Sequence, residues 1–166
     1  MTADKNLSES EVSRRVAILK RFKELLKDQR DRFAVYLDAL DRSKDVIEQG
    51  TADDLIRHVE LEENIITDIH SIQKVIDPLE GLYKSLRSGG VSEISASSGD
   101  DEISGLKSTL AQLGNEAAAR SKRNRNMLTK RMAEIRSEIK TLRSNPFLQK
   151  RKAYQQTAPS LVDIRG

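Results

Sequence analysis

From Val12 to Ile47 apolar side chains return at alternating steps of three and four: Val12, Val16, Leu19, Leu26, Phe33, Leu37, Leu40, Ile47. The vacancies in this stripe are filled by Lys23, Arg30 and Lys44, and Phe22, Leu25 and Tyr36 widen it. A stripe held for about five heptads commits the segment to one long amphipathic helix, because a strand would need a period of two. A second stripe follows as Ile65, Ile69, Ile72, Ile76, Leu79, Tyr83 and Leu86, flanked by Leu55, Val59 and Ile66. A third begins Ile103, Leu106, Leu110, Leu113, Ala117 and resumes as Leu128, Met132, Ile135, Ile139, Leu142. The two parts of this third stripe are out of phase by about one residue. Between them lies AARSKRNRN, residues 118–126, which is almost devoid of apolar side chains. Such a break implies a local change in supercoil or a weakly packed middle.

Start and stop signals frame these helices. Ser8-Glu9-Ser10-Glu11 fits a capping box, with Ser8 bonding forward and Glu11 reaching back. Gly50 is placed to end the first helix in the left-handed conformation. Thr51 caps the second, with Asp53 and Asp54 facing the positive end of its dipole. So short a connection makes the first two helices an antiparallel hairpin. Pro78 lacks an N–H and predicts a kink near Asp77. RSGGVSEISASSGD, residues 87–100, reads as a serine- and glycine-rich linker that lets the third helix either pack or swing. Asn145-Pro146 ends that helix. The fold expected is therefore all-α: an elongated antiparallel helical hairpin plus a third long helix, with helices at about 10–49, 52–87 and 101–144 and a linker at 88–100. Residues 1–144 make one helical domain and 145–166 an irregular C-terminal tail.

Composition supports rods over a deep pocket, with 4% aromatic and 33% charged residues. The chain has no cysteine, which fits a reducing compartment and removes thiol chemistry. No apolar run approaches the roughly 20 residues that cross a bilayer. MTADKNLSESEVSRR has no apolar core of the kind a secretory signal carries. A cytoplasmic protein is expected. The net charge of +3 is unevenly spread. Residues 1–86 hold 14 basic and 18 acidic side chains, whereas residues 115–152 hold 12 and 3. Two readings follow: the basic stretch of the third helix lies on an acidic hairpin, or it marks an anionic partner. Against nucleic acid, the third helix has no aromatic before Phe147 on which a base stacks. Against a membrane surface, Arg120, Lys122, Arg123 and Arg125 are not backed by a bulky apolar face.

The residue sets of enzymes are missing. His58 and His70 stand twelve apart on one helix, too far for a helical metal pair. The chain has no HExxH, CxxC, glycine-rich phosphate loop or GxSxG. Glu60, Glu62 and Glu63 read as solvated face, and no Glu-x-x-His pairs exist to build a di-metal bundle site. No catalytic residue, metal or cofactor is expected. The tail, NPFLQKRKAYQQTAPSLVDIRG, is basic first and apolar last. Leu161, Val162 and Ile164 have no element to pack within, so they either fold back on the bundle or meet a partner. Tyr154, beside Lys150, Arg151 and Lys152, is the large amphipathic anchor of its basic part.

The stretch SKRNRNML, residues 121–128, places Asn124 and Asn126 ahead of Leu128 in mid-helix. With the hairpin sequence of residues 39–69 and the closing SLVDIRG, it resembles the FlgN-type flagellar export chaperones, a likeness that covers residues 12–166. HVELEEN departs from the lysine-rich start usual for the family's second helix. The resemblance implies a cytoplasmic bacterial chaperone that binds hook–filament junction proteins and delivers them to the type III export gate. It implies partner contacts at Asn124, Asn126, Leu128, Tyr154, Leu161, Val162 and Ile164. An Asn in mid-helix is otherwise a solvent-facing residue. The rival reading is a structural coiled-coil scaffold that satisfies its stripes by forming homo-oligomers.

Overall fold

The computed structural model describes residues 9–88 and 96–147. The chain is all-α, built from α1 (Glu9–Gln49), α2 (Ala52–Ser88) and α3 (Ala96–Ser144). No strand is present among the described residues. The helix ends fall within a residue or so of the sequence signals, with one exception. α3 begins at Ala96, inside the stretch expected to be linker, and so absorbs Ser97, Ser98 and Gly99 into its first turn. Ser8 of the expected capping box and most of the remaining linker lie outside the described residues.

The turn between α1 and α2 is two residues long. Gly50 donates its N–H to the Val46 carbonyl at 2.8 Å, closing the last turn of α1. Its backbone is not left-handed, contrary to the sequence expectation. Glycine is required there for another reason: a Cβ would sit 2.5 Å from the Val46 carbonyl oxygen and 2.8 Å from its Cγ1. Thr51 then builds a reciprocal cap. Asp54 N–H donates to Thr51 Oγ1 at 3.2 Å, and Thr51 N–H donates to the Asp54 carboxylate at 3.0 Å. These bonds from Thr51 hold the Asp54 carboxyl below the usual carboxylate range. α2 continues through Pro78 as one helix to Ser88.

The chain divides into two compact units after Asn124. The first is a three-helix bundle of α1, α2 and α3 up to Asn124. Its main core joins Phe22, Leu25 and Leu26 of α1, Ile76 and Tyr83 of α2, and Ile103 and Leu106 of α3. The Phe22 and Tyr83 rings meet at a centroid distance of 5.3 Å, tilted by 38°. Burial of these side chains is the chief stabilising term, worth about 1.5–3 kcal/mol for each fully buried large one. A second cluster joins Leu37, Leu40 and Ala117, and a third joins Ala39, Ile65 and Ile69. Val12 and Val16, counted in the first stripe, are exposed instead.

Ion pairs fix the register around these clusters. Arg32 of α1 meets Asp68 of α2 at 2.6 Å. Glu102 of α3 is held between Lys23 and Lys27 of α1, and Glu80 of α2 accepts from Lys107 of α3. The lysines hold both glutamate carboxyls below their ordinary range. Lys23 next to Glu102 and Leu40 next to Asn124 show that α3 runs parallel to α1 in this unit. Gln29 and Ser43 are the buried polar residues of α1, and Gln29 donates to Gln73 across the hairpin.

Candidate binding surface

The apolar gap in α3 turns out to be a polar clamp. Counting on from Ile103, Leu106, Leu110, Leu113 and Ala117 in steps of three and four, the next inward positions are residues 120 and 124. Arg120 and Asn124 occupy them. Arg120 donates to the Leu37 carbonyl of α1 at 3.2 Å and to Asp41 at 2.7 Å, and also pairs with Glu116. Arg123 reaches Asp41 at 3.2 Å. Asn124 is 6% exposed, and its amide nitrogen donates to the Leu40 carbonyl at 2.6 Å. Its amide oxygen accepts from Arg123 Nε at 3.3 Å. Small Ala117 lets the helices approach, and the long polar side chains then reach main-chain oxygens on α1.

This arrangement gives Asn124 a role that neither reading of the asparagines assigned to it. Both polar ends of Asn124 are engaged within the bundle, so its role is to hold α3 on α1. Asn126 is exposed, and Leu128 is half-buried. Tyr154, Leu161, Val162 and Ile164 lie outside the described residues. For two residues of the basic stretch the internal reading holds. Arg120 and Arg123 are paired internally with Asp41, as the acidic-hairpin reading requires.

The described residues of the second unit run from Arg125 to Phe147. Every residue from Thr129 to Ser144 is exposed. Leu128, Met132, Ile135, Ile139 and Leu142 recur at steps of four and three over these turns, a seam of two heptads with d at 128 and a at 132. Met132, Ile135, Ile139 and Leu142 are 46, 41, 44 and 57% exposed, where the core residues of the first unit reach at most 8%. The positions beside the seam are Thr129, Arg131, Arg136, Glu138 and Arg143. Arg131 makes a 3.6 Å pair with Glu134 on its own helix. α3 ends as expected: Asn145 N–H bonds back to the Leu142 carbonyl, and Phe147 N–H donates to Asn145 Oδ1 at 3.1 Å.

The sequence pattern contains these apolar residues, but the resemblance places only Leu128 of them on a partner surface. The signal that distinguished them was the one-residue phase change, since a continuous packing seam would have kept its phase. Elsewhere, Glu62 and His58 on α2 form a second polar feature. Glu62 Oε1 and His58 Nδ1 are buried without a hydrogen-bond partner. Burial pushes the Glu62 carboxyl up, opposed by Ser43 and His58 beside it. The Tyr36 hydroxyl is raised by burial and by the Glu62 charge. No cluster of three metal-binding side chains occurs among the described residues. Nor is any helix among them long and apolar enough to cross a membrane.

A protein of Treponema pallidum (strain Nichols), described as an uncharacterized protein, is 34% identical over 138 residues, which span 83% of each chain. The present chain belongs to that protein's family. The shared length exceeds either helix pair alone, so the likeness covers the helical framework and not one periodic segment. No protein-family profile and no solved structure matches the chain.

Proposed function

We propose that this chain is a cytoplasmic flagellar type III export chaperone that holds hook–filament junction proteins through the exposed part of α3 and hands them to the export gate. One observation carries the reading: Met132, Ile135, Ile139 and Leu142, four successive positions of the two-heptad seam, are exposed, whereas the stripes of α1, α2 and α3 up to Ala117 are buried or half-buried apart from Val12, Val16 and Val59. An exposed stripe of this period is a docking face for another helix. The resemblance of residues 121–128 to FlgN-type chaperones supports the specific class. Asn124 is a scaffold residue in this reading, and Leu128 is the first contact. Asn126, Tyr154, Leu161, Val162 and Ile164 extend the contact surface beyond the seam.

Holding and handing over need moderate affinity. Covering five apolar side chains that are already partly shielded yields about half of the roughly 1.5–3 kcal/mol each would give from full exposure. Ordering a partner segment offsets several kcal/mol of that. The remainder suits a complex that forms in the cytoplasm and is released at the gate.

Capture from the lysate of a flagellated cell tests the reading. The full chain should recover junction proteins, Ile135→Asp with Ile139→Asp should lose them, and removal of residues 146–166 should reduce the yield. Recovery unchanged by the paired aspartates would refute this assignment of the surface. A scaffold that assembles with copies of itself is a second reading the same seam favours, and sedimentation at several concentrations separates it from the chaperone.

A further inference from the structure

The edges of the α3 seam specify the chemistry of what covers it, an inference that rests on the reading of this stretch as a binding surface. We propose that the occupant is an amphipathic helix of about two heptads whose positions beside its apolar seam are acidic. Three observations lead there. The large apolar residues of 128–142 occupy a and d positions alone, a narrow stripe whose knobs fit the holes of a second helix better than the broad face an interfacial lipid helix presents. Beside the stripe stand Arg131, Arg136 and Arg143 against Glu138. Over residues 125–144 as a whole, six basic side chains face two acidic ones. A basic rim on an apolar seam selects partners by repulsion as much as by attraction: it accepts glutamate and aspartate opposite the arginines and rejects lysine and arginine. A second copy of this same stretch in parallel register would set Arg131 against Arg136 but Glu138 against Arg143, so self-pairing gains nothing net from the rim, whereas an acidic helix meets three arginines.

The contrast with Arg120 and Arg123 strengthens the assignment. Those two arginines find Asp41 within their own bundle. Arg131, by comparison, has a 3.6 Å contact to Glu134 one turn along its own exposed helix, a pair that costs little to exchange. The basic charge of α3 therefore serves two purposes in sequence order: clamping to α1 before Asn124, and partner choice after it.

The test uses the full chain and two synthetic helical peptides of three heptads, each with Leu at a and d. One carries Glu at every e and g position and the other Lys. Both repel themselves, so neither hides in a homodimer, and both present the same flank charge in parallel and antiparallel orientation. By fluorescence anisotropy at low salt, the Glu peptide should bind at least about tenfold more tightly, since it meets three attractive flank charges and one repulsive, and the Lys peptide the reverse. The gap should narrow as salt screens the flanks. The triple variant Arg131→Glu, Arg136→Glu, Arg143→Glu should reverse the preference, and Ile135→Asp should weaken both peptides. Equal binding of the two peptides, preference for the Lys peptide, or binding of neither overturns the acidic-partner inference. So does sedimentation of the chain with vesicles of anionic lipid in a manner abolished by Ile135→Asp, or concentration-dependent self-association abolished by the same change. Because the peptides share no sequence with flagellar proteins, acidic selectivity without capture of junction proteins would retire the export reading alone.

Discussion

Asn124→Ala separates a clamp from a contact residue. The side chain is 6% exposed and gives up one buried hydrogen bond to the Leu40 carbonyl, a loss of about 0.5–1.5 kcal/mol. Truncation also leaves a small void between α1 and α3, which adds about 1 kcal/mol. Three offsets apply. The Leu40 carbonyl lies in the α1 ladder and keeps its helical bond. Arg123 is exposed enough for water to replace its lost acceptor. Alanine is the better helix former by up to about 0.7 kcal/mol. The net expectation is a loss of about 1–2 kcal/mol, or a fall in melting temperature of roughly 2–8 °C for a chain of this size. Asn124→Asp should cost more than Ala, since a carboxylate cannot donate to the carbonyl and sets its charge against it. Asn126→Ala, at an exposed position, should leave the melting temperature unchanged or slightly raised. Thermal unfolding followed by circular dichroism at 222 nm reads all three, with partner capture measured in parallel. Wild-type melting of Asn124→Ala together with loss of capture would refute the clamp and return Asn124 to the contact surface.

Gly50→Ala should lower stability by about 1–3 kcal/mol, because its Cβ would meet the Val46 carbonyl at 2.5 Å. Gly81→Ala, in the α2 interior with nothing within 4 Å, should raise it by about 0.5–1 kcal/mol, and chemical denaturation of the pair checks both signs. The Glu62 carboxyl is raised by burial, so its ionised form opposes folding above its folded-state value. Glu62→Gln should therefore raise the melting temperature near neutral pH, with the gain shrinking as acid protonates the wild-type carboxyl. Glu80 and Glu102 behave in the opposite sense. Their carboxyls are held low by Lys107 and by Lys23 and Lys27, so these pairs contribute above the ordinary carboxylate range and are lost as pH falls through the lowered values. Replacing both glutamates by Gln should flatten the acid limb of a stability–pH curve, and an unchanged limb would remove them as its cause.

Most of the fold was legible because long helices advertise themselves by period. The stripe through Leu26, Leu37 and Leu40, the Thr51 cap and the Asn145–Pro146 stop each reflect a local rule that tertiary structure left alone, whereas Gly50 ends α1 where expected but not in the left-handed conformation. Three features escaped for three physical reasons. Val12 and Val16 continue the α1 pattern, yet periodicity reports only that a face is apolar and not that anything covers it. Ser97 and Ser98 have weak helix propensity and read as linker, but the helix is extended backward from a well-packed turn at Ile103 and Leu106. Most important, the inward positions of α3 at 120 and 124 carry Arg and Asn, to which a search for apolar residues is blind. What looked like a loosely packed middle is the stretch where α3 grips the α1 backbone. The exposed seam was visible as residues but not as a site, since only the structure shows that its side chains lack cover.

The central claim is that the bundle ending at Asn124 is complete by itself and the Leu128–Leu142 seam is kept for a partner. The paired substitution Ile135→Asp, Ile139→Asp tests it most directly when thermal melting and partner capture are measured on the same preparation. A melting temperature within about 4 °C of wild type, as two exposed positions at up to about 0.5 kcal/mol each allow, with partner capture abolished, is the outcome this account requires. A collapse of the melting transition, or retained capture, would contradict it.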